Sequence, residues 1–165
     1  MKFIKVKTLL YETFLAQLYI ITYFTLPTLC EASHNVGKTT TTVNLGTALA
    51  RQGKKVLLID LDPQANLTMC MGQQKPDSLK ITIANIFAGL VNKQSPLPKE
   101  EYLLQSEGCD IIPSSILLAN IEPSIINATA RETLLRRFLK QFLGEYDYIL
   151  IDCLCAAAHK QSNVQ

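Results

Sequence analysis

A glycine, a lysine and a run of threonines, Gly37-Lys38-Thr39-Thr40-Thr41-Thr42, carry the chemistry of a phosphate site. Gly37 lets the backbone come close to phosphate oxygens, and the amides at a helix N-terminus point at the anion. Lys38 has the reach for β- and γ-phosphates, and the Thr39 hydroxyl suits Mg²⁺. Further along, the apolar run Val56-Leu57-Leu58-Ile59 ends on two carboxylates, Asp60 and Asp62. Any helix start can contain Gly-Lys-Thr by chance. An Asp-x-Asp pair leaving a buried strand shortly behind it makes chance a poor account.

Such residues work only when strands and helices hold them in place. Lys38 to Gln52 reads as a helix with Val43, Leu45, Ala48 and Leu49 free to pack on a sheet, and Gly53 ends it. Val56 to Ile59 is a continuous apolar run, as in parallel strands covered on both faces. Asp60 and Asp62 leave it at the carboxyl end, where α/β sheets bind ligands. Gln64 to Met71 continues into a helix, with Met69 and Met71 as packing residues. Residues 72–80, containing Pro76, read as a loop. Ile81 to Leu90 has helical apolar spacing, and Asn92 to Lys99 is a surface connection with two prolines. Cys109 to Ile112 reads as a short strand ended by Pro113, with Ser114 and Ser115 placed to cap the next helix. Ala130 to Leu143 is amphipathic, its Arg131, Arg136, Arg137 and Lys140 set apart from an apolar face. That basic face suits either solvent or DNA phosphates, and the solvated reading is preferred. Tyr148 to Asp152 is a last apolar strand ending on a carboxylate. The expected fold is α/β: a P-loop NTPase-like, mostly parallel sheet flanked by helices.

Three stretches, Val36 to Leu45, Gly53 to Asn66 and Tyr146 to Asp152, together resemble the ParA/Soj family of deviant Walker-type partition ATPases. The run Asp60-Leu61-Asp62-Pro63-Gln64-Ala65-Asn66 is the most specific part. The resemblance implies ATP and Mg²⁺ as cofactors. Val36, Gly37, Lys38, Thr39 and Thr40 would hold the nucleotide, and Thr39, Asp60 and Asp152 would form the metal surroundings. Asp60 would lie beyond the direct ligands, and Asp152 would act through water on a Walker B-like strand. Lys38 and Asp62 would serve catalysis, Asp62 by orienting the attacking water. The intact family forms a nucleotide-dependent homodimer, binds DNA non-specifically and is discharged by a ParB-like partner. A MinD-like membrane-associated ATPase and a nitrogenase-reductase relative are the neighbouring readings, and Asp62-Pro63-Gln64-Ala65-Asn66 argues against both. A non-catalytic fragment pairing with a full-length paralogue is the alternative function.

The 165 residues suit one domain, and 48% hydrophobic against 18% charged residues excludes disorder across the middle. A net charge of +2 does not single out nucleic acid as a partner. Five scattered cysteines and two histidines make a zinc site improbable and fit free thiols in a reducing cytoplasm.

The family pattern changes at both ends. Residues 1–35 are basic at first and uncharged from Thr13 to Cys30, like a leader or a marginal span. Gln17, several threonines and Pro27 interrupt that run, so the expected location is cytoplasmic. Ile20 to Thr25 has strand-like composition, but Pro27 separates it from the loop. His34 and Asn35 stand where the family has glycines, and Ser33 stands where its signature lysine reaches the partner subunit's nucleotide. The expected organisation is a non-family segment over 1–35, a partial ParA-like ATPase domain over 36–153 and an unstructured tail over 154–165. Reduced or lost activity is expected with it.

Overall fold

Three apolar stretches spaced through the sequence become the centre of a sheet because each can bury both faces. The computed structural model describes residues 2–5, 37–121 and 128–153, with 2–5 and 128–132 described for the backbone alone. Strands are β1 (Lys2–Lys5), β2 (Val56–Leu61), β3 (Leu104–Ser106), β4 (Cys109–Ile112) and β5 (Tyr148–Cys153), in the order β1-β5-β2-β4-β3. The three central strands, β5, β2 and β4, run parallel, and both edge strands run antiparallel to their neighbours. This is the expected mostly parallel sheet. The register sets Asp60 directly opposite Asp152 and Leu61 opposite Cys153.

Helices are α1 (Lys38–Arg51), α2 (Asn66–Cys70), α3 (Ile83–Val91), α4 (Leu117–Ile121) and α5 (Ala128–Leu139). Short 3-10 turns at Pro76–Ser78, Lys99–Glu101 and Lys140–Phe142 link them. Strand periodicity splits the core into two layers. On one face Val56 and Leu58 of β2, Ile111 of β4 and Leu150 of β5 pack with Leu67 and Met71, and Val43, Leu45 and Leu49 of α1 cover them. On the other, Leu57, Ile59, Ile149 and Ile151 meet Ile83, Phe87, Tyr102, Phe138 and Phe142.

Four consecutive threonines, three of them inside the first turn, are poor helix formers. Thr41 and Thr42 satisfy their hydroxyls locally, donating to the carbonyls of Gly37 and Lys38, 2.6 and 3.0 Å away. At the other end Gly53, at φ 75°, stops the helix as expected.

Three features differ from the sequence reading. A two-residue turn, Glu107-Gly108, joins β3 and β4 into a hairpin that was not anticipated; both residues have positive φ, 50° and 77°, as a type I′ turn requires. Ser114 and Ser115 are buried, and the Asp77 carboxylate accepts the Ile116 amide beside them at 3.0 Å. Lys2–Lys5, within the stretch set apart from the family, pairs with β5. The strand-like run 20–25 lies outside the described residues, as do Ser33 and Val36. Among the described residues no helix is long and apolar enough to cross a membrane.

Candidate nucleotide site

The carboxyl ends of β2 and β5 set Asp60 beside Asp152, with Thr39 of α1 against Asp152. Gly37 opens α1 in the left-handed region, φ 93°, and a Cβ there would meet nothing within 4 Å. Glycine is needed for its backbone conformation, not for room. With no side chain at this cap and no acidic residue in the first turn, the N-terminus of α1 keeps its positive end for an anion. Lys38 and Thr39 follow on the first turn, and Thr40 is exposed.

The Thr39 hydroxyl donates to Oδ2 of Asp152 at 2.6 Å, joining residues 113 apart in sequence. Asp152 is buried, which raises its carboxyl above the ordinary range. The Thr39 hydrogen bond opposes that shift, the charge of Asp62 adds to it, and the charge of Lys38 lowers it. Lys38, Asp62 and Asp152 therefore share one electrostatic neighbourhood.

Asp60 is fully buried, and burial pushes its carboxyl up to about 6 against the pull of its hydrogen bonds to Thr68 and Asp62. Both of its oxygens are engaged. Oδ1 accepts the Asp62 amide at 3.0 Å, and Oδ2 accepts the Thr68 amide at 2.9 Å and the Thr68 hydroxyl at 2.7 Å. Asp62, 9% exposed, accepts the Gln64 amide at 2.9 Å. Thr68 is the residue that sequence reasoning missed. Nothing in its type or spacing announces that it meets Asp60.

The donor set fits a magnesium-bound nucleoside phosphate. Thr39 and Asp152 offer hard oxygens, and Mg²⁺ is typically held by one or two carboxylates plus phosphate oxygens and water. Among the described residues no group of three or more histidines, cysteines or acids could cage an ion by itself. Gly37, Lys38 and the N-terminus of α1 lie next to the Thr39–Asp152 pair.

Comparison with known proteins agrees with this geometry. A model described as AAA domain matches residues 30–160. The sporulation initiation inhibitor protein Soj of Bacillus subtilis is 41% identical over 118 residues, covering 72% of this chain and 45% of the relative. The chromosome partitioning protein ParA of Caulobacter vibrioides is 37% identical over 120 residues, covering 72% and 43%. Among solved structures, cobyrinic acid a,c-diamide synthase from Mycobacterium smegmatis with bound ATP analogue and magnesium superposes with a TM-score of 0.64 at 35% identity. That match covers 73% of this chain and 47% of the other. The chain spans less than half the length of each of these relatives. It belongs to the AAA domain family and, within it, to the ParA/Soj family of P-loop ATPases.

Proposed function

We propose that residues 36–153 form a nucleotide unit of the ParA/Soj type that binds ATP with Mg²⁺ in DNA partitioning. The observation that carries the reading is the 2.6 Å bond from Thr39 to Asp152 at the mouth of α1. It brings a helix N-terminus, a hydroxyl and a carboxylate together where the sheet's strands end.

In this reading Val36, Gly37, Thr40 and the first amides of α1 hold phosphate oxygens, and Lys38 neutralises the β- and γ-phosphates. Thr39, with Asp152 through water, holds the metal ion. Bound MgATP supplies the phosphoryl group, and phosphoryl transfer asks the protein for positioning and charge more than covalent help. Asp62 orients the attacking water from the loop after β2. Ser33, in place of the family's lysine, removes a cation from the expected dimer contact. Hydrolysis and nucleotide-dependent homodimerisation are therefore expected to be weaker than in relatives with the lysine. The expected partners are a ParB-like protein and non-specific DNA, while the exposed Arg136, Arg137 and Lys140 of α5 are read as a solvated face. We place the protein in the cytoplasm.

Calorimetric titration with ATP and Mg²⁺ tests the reading. The expected result is micromolar binding that Lys38→Ala weakens by about 10- to 100-fold, as loss of a charge-assisted contact should. Equal affinity in the wild type and Lys38→Ala, or no binding by a folded wild-type chain, would defeat it.

A further inference from the structure

Helix α2 starts without the usual aid. Its cap is Ala65, which offers no side-chain acceptor and stands at φ 53°, a costly conformation for a residue with a Cβ. Asp60, two residues before Asp62, takes over the capping by accepting the amide of Thr68. The same carboxylate holds the Asp62 amide on its other oxygen. One buried side chain thus ties down both ends of the loop between β2 and α2, and the loop's interior closes on Asp62. Its carboxylate accepts the Gln64 amide, and its carbonyl accepts the Ala65 amide at 2.9 Å.

The Thr68 hydroxyl completes this clasp. It donates to Asp60 Oδ2 at 2.7 Å and accepts the Ser114 amide at 2.9 Å, so β2, α2 and the end of β4 meet at one oxygen. Asp60, Thr68 and Ser114 are all fully buried, so no water substitutes readily for a lost partner.

We propose that Thr68 is a positioning residue, whose hydroxyl locks the loop that carries Asp62 by joining Asp60 to the end of β4. The functional half, that the lock aims Asp62 at a bound nucleotide, rests on the nucleotide reading above. Lys38 and Thr39 sit on α1, so nucleotide affinity and loop order are separable.

Residue-resolved amide exchange on the full chain, with and without MgATP, tests this in Thr68→Val, Thr68→Ala and Thr68→Ser. Thr68→Val keeps the shape and loses the hydroxyl. Thr68→Ala loses the same hydroxyl without setting a methyl against the Asp60 carboxylate. Thr68→Ser keeps the hydroxyl. In both hydroxyl-free variants the Asp62, Gln64 and Ala65 amides should exchange about tenfold faster or more, while those of Ile149 to Ile151 hold their rates. Thr68→Ser should match the wild type. MgATP affinity should stay within about threefold in all three, yet MgATP should add protection to the Asp62, Gln64 and Ala65 amides only where the hydroxyl remains. Unchanged loop exchange, an increase shared equally by β5, or a Thr68→Ser variant no better than Thr68→Val would overturn the proposal. Failure of the wild type to bind MgATP would overturn the nucleotide reading and the functional half with it. The nucleotide-free exchange would still decide what Thr68 does for the loop.

Discussion

Gly46 lies inside α1 on the face buried against the sheet. A Cβ at this position would stand 2.8 Å from Cδ2 of Leu58, 3.5 Å from its Cδ1 and 3.6 Å from Cδ1 of Leu150. Carbon atoms prefer about 3.5–4.0 Å, so in Gly46→Ala the Leu58 methyl must retreat by roughly 1 Å. Leu58 is fully buried and Leu150 is 1% exposed, so the retreat is resisted on every side. Overpacking of this kind costs about 1–3 kcal/mol. Removing a glycine from a helix interior returns about 1 kcal/mol. Gly46→Ala should therefore lower stability by about 0–2 kcal/mol, the helix gain offsetting part of the clash. The cycle with Leu58→Val separates them, because valine has no Cδ atom to clash. In that background Gly46→Ala should stabilise by about 1 kcal/mol, giving a coupling of roughly 1–3 kcal/mol. Urea unfolding of the four proteins measures it. Additivity within about 0.5 kcal/mol would refute the close approach and, with it, the argument that α1 lies tightly on β2.

Phe138 packs its ring edge-on against Phe87 at 6.1 Å and against Phe142 at 5.3 Å between centroids. Phe138→Ala should cost about 3–5 kcal/mol in urea unfolding, and a loss under 1 kcal/mol would mean that α5 does not close this side of the sheet. Asp60 gives a pH dependence with a definite sign. Its carboxyl lies near 6 in the fold, above the ordinary carboxylate range, so the folded state holds this proton more tightly than the unfolded chain. The stability it contributes is complete below about pH 4 and is lost as the pH rises through about 6. The wild type minus Asp60→Asn stability difference, measured without nucleotide, should fall by on the order of 2–3 kcal/mol across that window. A difference that rises with pH would reverse the assignment.

The parts of the site that sequence revealed are those with local signatures. The Gly37-Lys38-Thr39 step announces a phosphate-binding helix start because its chemistry lies in adjacent residues. Val56 to Ile59 and Ile149 to Ile151 announce central strands because both faces must be apolar. That Asp152 meets Thr39 followed only from family resemblance, since 113 residues separate them. Thr68 and Ser114 were not legible at all. A threonine and a serine 46 residues apart carry no periodic signal, and only the sheet's closure brings the Ser114 amide to the Thr68 hydroxyl. The β3–β4 hairpin had a usable signal in Glu107-Gly108, weaker than Asn-Gly or Asp-Gly because glutamate is an unusual residue at positive φ. The resemblance sets Asp60 in the metal surroundings, beyond the direct ligands, and its two oxygens accept from Asp62 and from Thr68 of α2. Its place in the strand was legible, and its partners were not.

The most direct test of the central claim is the Mg²⁺ dependence of ATP affinity in the wild type and in Asp152→Asn. A site in which Thr39 and Asp152 hold the ion against bound phosphates should bind ATP more tightly as Mg²⁺ is added, by about tenfold or more. Asp152→Asn should lose that gain while keeping the weaker affinity seen without Mg²⁺, because Lys38 and the α1 N-terminus remain. An equal Mg²⁺ response in the two proteins, or none in the wild type, would contradict the account.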